Sequence, residues 1–362
     1  MLSRREFIRS AAAAGAALPL APWLAGRKIQ QRPDIDALYD RAIVIDSLAV
    51  AYRWDDEEWA AVQKSGYTAI QTTLSSASLQ ASLSDLAEWN LRFAREGHRY
   101  LKVTRAEHIE QAKKERKLGV ILGFQNTAQI GTDLGNLDIL YALGTRCMQL
   151  TYNSRNLIGD GCTERTNAGL SDFGVAVVER MNQLGILVDL SHCGLATSAD
   201  GIAVSRKPPA FTHTMCRALY DHPRAKPDEL IKAMSDKGGV TGIAALGYFL
   251  GPNVGTETTF ETYLDHIDHA VKVGGIDHVG LATDFQIRGI SPWATRENWY
   301  EPRLRSFKPS YKVQWPPWIP ELDRPERFRT VAHGLARRGY RTDAIEKLLG
   351  LNWLRLFREV LG

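Results

Sequence analysis

The sequence predicts a (β/α)8 barrel, in which eight parallel strands alternate with helices around a closed core. Two observations carry this prediction. Eight apolar runs of strand length are separated by segments that have helical periodicity or the length of a helical crossover. The chain of 362 residues also has the size of one large domain of this class. A doubly wound open sheet is the alternative, because it shows the same alternation of strands and helices.

The predicted elements follow one another with short connections. The strands are predicted at Ala42–Asp46, Tyr67–Thr73, Leu118–Phe124, Arg146–Tyr152, Gly185–His192, Pro208–His213, Gly239–Leu246 and Asp277–Asp284. The helices are predicted at Leu83–Glu96, Ala106–Arg116, Ser171–Leu184, Ala196–Arg206, Thr258–Val273, Phe328–Arg338 and Thr342–Val360. Ser171 is expected to cap the third of these helices.

The composition is that of an ordinary globular protein. Hydrophobic residues make up 44%, charged residues 24%, and the formal net charge is +4. This charge balance gives no reason to expect nucleic acid or an anionic membrane surface as a partner. The four cysteines lack the paired spacing of a disulfide framework.

Residues 1–26 predict a twin-arginine export signal. Arg4 and Arg5 precede Phe7 and Ile8, and an alanine-rich apolar run extends from position 11 to 24. The run is short for a stable membrane span, so we expect it to be cleaved. The mature chain, residues 27–362, is then one domain located in the periplasm or secreted, without a membrane span.

Polar residues end most of the predicted strands. In a barrel, the carboxyl ends of the strands form one ring where enzymes of this fold keep their sites. The residues expected on this ring are Asp46, Gln125, Tyr152, His192, His213 and Asp284. Residues 286–325, rich in tryptophan and proline, are either an excursion over this mouth or a loop against the barrel wall.

His192 and His213 occupy equivalent positions at the ends of neighbouring strands. The segment between them is long enough for a crossover helix, so the two imidazoles are expected to face each other. Neutral imidazole is a preferred zinc ligand, and the pair therefore predicts half of a divalent-metal site. The alternative is that each histidine only completes a hydrogen bond near the core.

Four motifs suggest a family. They are Asp189-Leu-Ser-His192, Phe211-Thr-His213 with Arg224 downstream, the run from Asp277 to Phe285, and Leu349-Gly-Leu-Asn-Trp-Leu-Arg355. With these motifs the chain resembles the membrane (renal) dipeptidases, peptidase family M19, from about position 42 to its C-terminus. The resemblance implies a hydrolase that cleaves dipeptides with two zinc ions, a bridging hydroxide as nucleophile and a carboxylate as proton shuttle.

Residue by residue, the resemblance implies that His192 and His213 bind the second metal. It implies that Asp284 is the acid/base and that Arg224 holds the substrate carboxylate. Three departures change this picture, each at a strand end. Leu48 and Val50 stand where the family has the first-strand histidine and aspartate ligands, Gln125 replaces the bridging glutamate, and Tyr152 replaces the histidine that polarises the scissile carbonyl.

We therefore expect the first metal site to be lost and one zinc, or another divalent metal, to remain on His192 and His213. Asp284, Gln125 and water are expected to complete the coordination, and a phenol such as Tyr152 can still donate a hydrogen bond to an oxyanion. Whether Cys162 or Glu164 replaces a lost ligand stays open.

The sequence thus predicts an exported metal-dependent hydrolase of a dipeptide or similar small amide. Catalysis is assigned to Asp284 and Tyr152, and substrate binding to Arg224, Gln125 and Asn153. One alternative is an inactive barrel that binds a small carboxylate ligand, and another is a lyase or isomerase that uses Asp284 and Tyr152. The oligomeric state is open, with a homodimer among the possibilities.

Overall fold

The computed structural model describes residues 33–51 and 53–362. Residues Ile35–Gly362 form one unit by their internal contacts, divided from Met1–Asp34. The predicted export signal lies outside the described residues and stays a prediction. Within the described part of the chain, no helix is both long and apolar enough to cross a membrane.

The core of the fold is one parallel sheet. Its strands are β1 Ile45–Ala49, β2 Ala69–Leu74, β3 Tyr100–Lys102, β4 Leu118–Phe124, β5 Thr145–Gln149, β6 Leu187–Asp189, β7 Ala210–Thr214, β8 Val240–Ala244 and β9 Val279–Ala282. They lie in the order β1-β2-β4-β5-β6-β7-β8-β9, and β3 pairs with β4 outside this path. The eight strands on the path are those that the sequence predicts, whereas β3 is an addition that it does not.

The first and last strands of this path meet through β1 and β9. The N–H of Asp284 donates to the carbonyl of Leu48 at 2.9 Å, and the N–H of Val50 donates to the carbonyl of Phe285 at 3.2 Å. A doubly wound sheet would leave both edges open. The (β/α)8 barrel predicted from the sequence is therefore confirmed, and the open-sheet alternative is wrong.

Helices cover the outside of the barrel. They are Ile35–Arg41, Asp56–Ser65, Leu79–Arg95, Glu107–Glu115, Gly135–Leu143, Asp172–Leu184, Leu195–Val204, Asp228–Asp236, Gly247–Leu250, Phe260–Gly274, Glu301–Ser306, Arg327–Arg337, Thr342–Glu346 and Asn352–Leu361. The predicted cap is present, since Ser171 Oγ accepts from the N–H of Gly174 at 2.9 Å. With helices outside and packed side chains inside, β1, β4, β5, β7, β8 and β9 are buried along their whole length. This burial on both faces explains the continuous apolar runs of β4 and β9.

The C-terminal helix predicted at Thr342–Val360 is interrupted. A wide turn at Lys347–Leu351 separates its two parts, and Gly350 has a non-helical φ of 179°. A β-carbon at this position would overlap the carbonyl oxygen of Ile43, so the bend brings the backbone against the strand side of the barrel. The side chain of Asn352 then donates to the carbonyls of Ile276 and Val279, both at 2.7 Å, which fixes the last helix at the start of β9.

A long excursion, here called the mouth segment (residues 286–323), follows β9. The side chains of Asp323 and Arg327 hold the two ends of the mouth segment together. Asp323 accepts from the N–H groups of Ile290 and Ser291 at 2.5 and 3.1 Å. The buried guanidinium of Arg327 donates to the carbonyls of Ile287 and Leu322 at 2.7 and 2.5 Å.

Candidate functional site

A cavity of about 130 Å³ lies where the barrel strands end. The barrel contributes side chains from the ends of several strands, and the mouth segment covers them from outside. Its described lining comprises Val50, Gln125, Tyr152, Leu246, Tyr248, Phe249, Asp284, Phe285, Gln286, Ile290, Trp293, Trp299, Arg303, Phe307 and Tyr311. Of the two expectations for the tryptophan-rich segment, an excursion over the mouth is therefore confirmed.

Asp284 follows β9 and supplies the carboxylate of this cavity. Its backbone lies in the left-handed region, with φ of 67°, a conformation that aspartate tolerates better than most residues. Burial raises the pKa of Asp284 to about 7, although the positive charges of Arg224 and Arg303 act in the opposite direction. A carboxylate that titrates near neutral pH can both accept and return a proton, which is the property required of an acid/base catalyst.

Tyr152 lies three residues beyond the end of β5 and lines the same cavity. Its ring stacks on the imidazole of His192, with the ring centres 4.1 Å apart and the planes at 20°. Burial raises the pKa of the phenol, so Tyr152 keeps its proton and presents an O–H donor. Tyr152 therefore lies at the barrel mouth, where the sequence predicts it.

The imidazole rings of His192 and His213 lie next to each other, and the ring of His192 also stacks on Tyr152. Their Nε2 atoms are 3.0 Å apart, and both rings are buried. His192 Nδ1 lies 2.8 Å from Asn153 Oδ1, and His213 Nδ1 lies 2.8 Å from Thr212 Oγ1. The two imidazoles therefore face one another, as their equivalent places in the sequence predict.

The hydrogen-bond partners around the pair favour one assignment of the ring protons. The hydroxyl of Thr212 donates a hydrogen bond to Asp189 at 2.7 Å. The hydroxyl oxygen of Thr212 can then only accept, and Nδ1–H of His213 is the donor that faces it. The amide oxygen of Asn153 likewise accepts Nδ1–H of His192. In this arrangement both Nε2 atoms carry lone pairs at a separation of 3.0 Å, a geometry that a cation bound to both would stabilise.

Protonation of this pair is disfavoured. Burial, followed by the charge of Arg224, lowers the pKa of both His192 and His213 well below the usual value, so neither ring gains a proton easily. The chain from Asp189 through Thr212 to His213 is the kind of outer shell that orients a metal-binding histidine. This arrangement is compatible with the predicted role of the two imidazoles as metal ligands.

A third ligand of the usual kind is not assembled with them. In the described residues, no group of three or more histidine, cysteine, aspartate or glutamate side chains is placed to hold a metal ion. Gln125 and Asp284, expected to complete the coordination, line the cavity, whereas the two histidines are absent from its lining. The single-metal site therefore stays a prediction that rests on the histidine pair.

The two alternative ligands, Cys162 and Glu164, have other contacts, and Cys162 is adjacent to His192, since its N–H donates to the carbonyl of His192 at 2.7 Å. The thiol of Cys162 donates to Asn153 Oδ1 at 3.4 Å, and burial raises its pKa, which disfavours a thiolate. The carboxylate of Glu164 accepts from the N–H groups of Arg155 and Arg165 at 3.0 and 2.9 Å. Cys162 thus contacts the Asn153 oxygen that also contacts Nδ1 of His192, whereas the contacts of Glu164 are to backbone N–H groups.

Two of the residues assigned to substrate binding have other contacts in the structure. Arg224 is buried and donates through Nη1 to the carbonyl of Ser191, and through Nη2 to that of His213 at 2.8 Å. Asn153 is buried and orients His192. Neither belongs to the cavity lining, whereas Gln125 does. The binding roles of all three stay predictions.

Arg303 is a site residue that the sequence analysis does not identify. It belongs to the mouth segment and lines the cavity together with Asp284. Its guanidinium lies over the ring of Trp299, 3.9 Å from the ring centre, and Nη1 donates to the carbonyl of Trp299 at 2.9 Å. The helix that carries it, Glu301–Ser306, is too short to show a periodic pattern, so the sequence does not indicate which of its side chains point inward.

Comparisons with known proteins agree with the motifs. Residues 45–294 match the family model described as membrane dipeptidase, peptidase family M19. The dipeptidase verJ of Clonostachys rogersoniana is 28% identical over 257 residues, which cover 70% of this chain and 58% of that protein. The chain spans about half the length of the curated relatives it matches.

Two solved structures from Pseudomonas aeruginosa share the fold. A structure described as an amidohydrolase is 30% identical, with a TM-score of 0.81 over 91% of this chain and 99% of that one. The probable dipeptidase PvdM is 19% identical, with a TM-score of 0.75 over 90% of this chain and 97% of that one. The resemblance inferred from the motifs is therefore confirmed for both sequence and fold.

Proposed function

Because the chain belongs to the membrane dipeptidase family, peptidase family M19, we propose that it is a hydrolase of a dipeptide or a similar small amide. The observation that carries the proposal is the carboxylate of Asp284, held in a covered cavity at the barrel mouth with a pKa raised to about 7. Tyr152 lies in the same cavity with a protonated phenol. Together they supply a proton carrier and a hydrogen-bond donor.

The proposed reaction adds water across the amide bond. Asp284 accepts a proton from the attacking water as its oxygen bonds to the carbonyl carbon. The phenol of Tyr152 donates a hydrogen bond to the oxygen on which negative charge develops. Asp284 then gives the proton to the nitrogen as the C–N bond breaks, which yields a carboxylic acid and an amine; the acid then passes its proton to the amine, so the final products are a carboxylate and an ammonium group.

We further propose that His192 and His213 hold one divalent metal ion, with zinc the best match to two imidazoles. A bound zinc ion would make water more acidic and polarise a carbonyl group. The support is the pair of facing Nε2 atoms at 3.0 Å. Leu48 and Val50 offer no ligand atoms in their side chains, so the proposal does not include a metal on the first strand.

We also propose that the mature chain acts in the periplasm or outside the cell after export by the twin-arginine route. The support is the pair Arg4 and Arg5 followed by an apolar run. Cell fractionation of the native chain and of Arg4→Lys, Arg5→Lys tests this proposal. Retention of the double variant inside the cell is expected, and equal export of both would refute it.

The first experiment combines metal analysis with a substrate screen of the purified protein. Dipeptides and N-acyl amino acids are incubated with the native chain, Asp284→Asn and His213→Ala, with zinc or manganese added. We expect hydrolysis by the native chain alone, and roughly one zinc per chain that His213→Ala loses. The absence of metal and of turnover in the native chain would refute the hydrolase.

A lyase or isomerase is the second candidate, and one observation favours it. Asp284 and Tyr152 line the cavity, whereas the histidine pair does not. Two groups that move protons are sufficient for such a reaction without a metal. Analysis of the products in water enriched in oxygen-18 separates the candidates, because only hydrolysis incorporates the label into the new carboxylate.

A further inference from the structure

The charges in the cavity are few. Among the described residues that line it, only Asp284 and Arg303 carry a formal charge. Much of the remaining wall consists of aromatic rings, including Phe249, Trp299 and Phe307. A ligand that fits this cavity therefore needs an apolar part for the rings and an anionic group for the guanidinium.

Arg303 is oriented by its neighbours. The guanidinium lies 3.9 Å from the ring centre of Trp299, a residue four positions earlier that is only 3% exposed. Nη1 donates to the carbonyl of the same residue at 2.9 Å. Stacking on a buried indole fixes the plane of the guanidinium, and a planar guanidinium in a fixed position is suited to bind a carboxylate through two parallel hydrogen bonds.

Arg224, the other nearby guanidinium, is placed differently. Its Nη1 and Nη2 atoms donate to backbone carbonyls of Ser191 and His213, and the side chain is buried outside the cavity lining. A carboxylate that enters the cavity would have to displace these bonds to reach Arg224. Arg303, in contrast, belongs to the cavity lining.

We propose that Arg303 of the mouth segment binds the carboxylate of the substrate. The aromatic wall beside it, formed by Trp299 and Phe307, accepts an apolar side chain on the residue that carries this carboxylate. The substrate class is therefore a dipeptide or N-acyl amino acid with a free carboxyl group and an apolar C-terminal residue. This inference rests on the proposed function, since it names the substrate of the same cavity.

The test compares two ligands that differ only in charge: glycyl-leucine and glycyl-leucine amide. The native chain is measured beside Arg303→Gln, Arg303→Lys and the control Arg305→Gln. Arg305 lies two positions further along the same helix, with a side chain that is 69% exposed and an ion pair to Glu301. Thermal unfolding of each variant verifies that it folds.

We expect the native chain to prefer the free acid by about 10- to 150-fold in kcat/KM, the range of a hydrogen bond to a charged group. In Arg303→Gln this preference falls to near 1 through a higher KM for the acid, and Arg303→Lys keeps an intermediate value because it retains the charge. The control Arg305→Gln keeps the native ratio. A native ratio in Arg303→Gln would overturn the inference and leave the proposed function intact.

If the native chain hydrolyses neither ligand, the proposed function fails for this substrate class, and calorimetric binding decides the inference separately. Tighter binding of the acid than of the amide, lost in Arg303→Gln and kept in Arg305→Gln, supports Arg303 as the carboxylate-binding residue. Equal binding of the two ligands, or binding of neither, overturns it.

Discussion

The backbone N–H of Asp284 donates to the backbone carbonyl of Leu48 at 2.9 Å. This bond joins the segment after β9, which carries Asp284, to the first strand, where Leu48 lies. Because a backbone hydrogen bond does not depend on the side chain, the identity of the side chain at position 48 does not affect this closure of the barrel. The backbone position of Asp284 is therefore held independently of the first-strand side chains.

Asp284→Asn is expected to lower kcat/KM by at least about 100-fold, because an amide cannot carry the proton. The native enzyme should become more active as pH rises through about 7, where the raised pKa of Asp284 places the loss of its proton. Asparagine also tolerates the left-handed backbone, so the variant should fold. Initial rates between pH 5 and 9 test this, and a native rate profile in the variant would remove Asp284 from the mechanism.

The sequence predicts the barrel and the histidine pair for physical reasons. Strands buried on both faces leave continuous apolar runs, and equivalent places on neighbouring parallel strands bring His192 and His213 together at 3.0 Å. The bend at Gly350 was not predicted, because it depends on contact with Ile43, which lies far away in the sequence. The inward direction of Arg303 depends similarly on stacking with Trp299.

Tyr152→Phe tests the phenol without disturbing the ring. Phenylalanine keeps the stack on His192, where the ring centres are 4.1 Å apart, and removes only the O–H. We expect kcat to fall by about 100- to 1000-fold, as for loss of one oxyanion donor, with little change in KM. Steady-state kinetics on a hydrolysed dipeptide measure this. A change confined to KM would instead indicate a role in binding the substrate.

Thr283 stabilises a buried carboxylate in the core. Its hydroxyl donates to Asp46 Oδ2 at 2.7 Å, and its N–H donates to Oδ1 at 3.0 Å. Burial still raises the pKa of Asp46 to about 7, the hydrogen bonds from Thr283 opposing the shift. The folded protein thus keeps a proton that the unfolded chain releases near pH 4, so this group makes the free energy of unfolding fall between about pH 4 and 7.

Thr283→Val removes the hydroxyl donor, which matters most when Asp46 is ionised. We expect a loss of about 1–3 kcal/mol in the free energy of unfolding at pH 8 and a smaller loss at pH 5. Urea denaturation at both values measures the difference, with Thr283→Ser as the control that keeps the hydroxyl. Equal losses at the two pH values would show that Thr283→Val changes the free energy of unfolding through packing alone, and not through the hydrogen bond to ionised Asp46.

The hydroxyl of Thr212 connects Asp189 to one of the two facing histidines. Its hydroxyl donates to Asp189 at 2.7 Å and lies 2.8 Å from Nδ1 of His213. Thr212→Val breaks both contacts while it preserves the branched shape. If His192 and His213 hold zinc, the variant should bind it about 10- to 100-fold more weakly, because the ring loses the partner that fixes its tautomer.

Competition with a chromophoric chelator measures this affinity in the metal-free protein, independently of any activity. Thr212→Ser keeps the hydroxyl and should bind zinc like the native chain. Equal zinc affinity in Thr212→Val, Thr212→Ser and the native protein would mean that His213 takes no part in metal binding. The facing lone pairs of the two histidines would then need a shared proton, and the observed separation of 3.0 Å would describe a hydrogen bond between the rings.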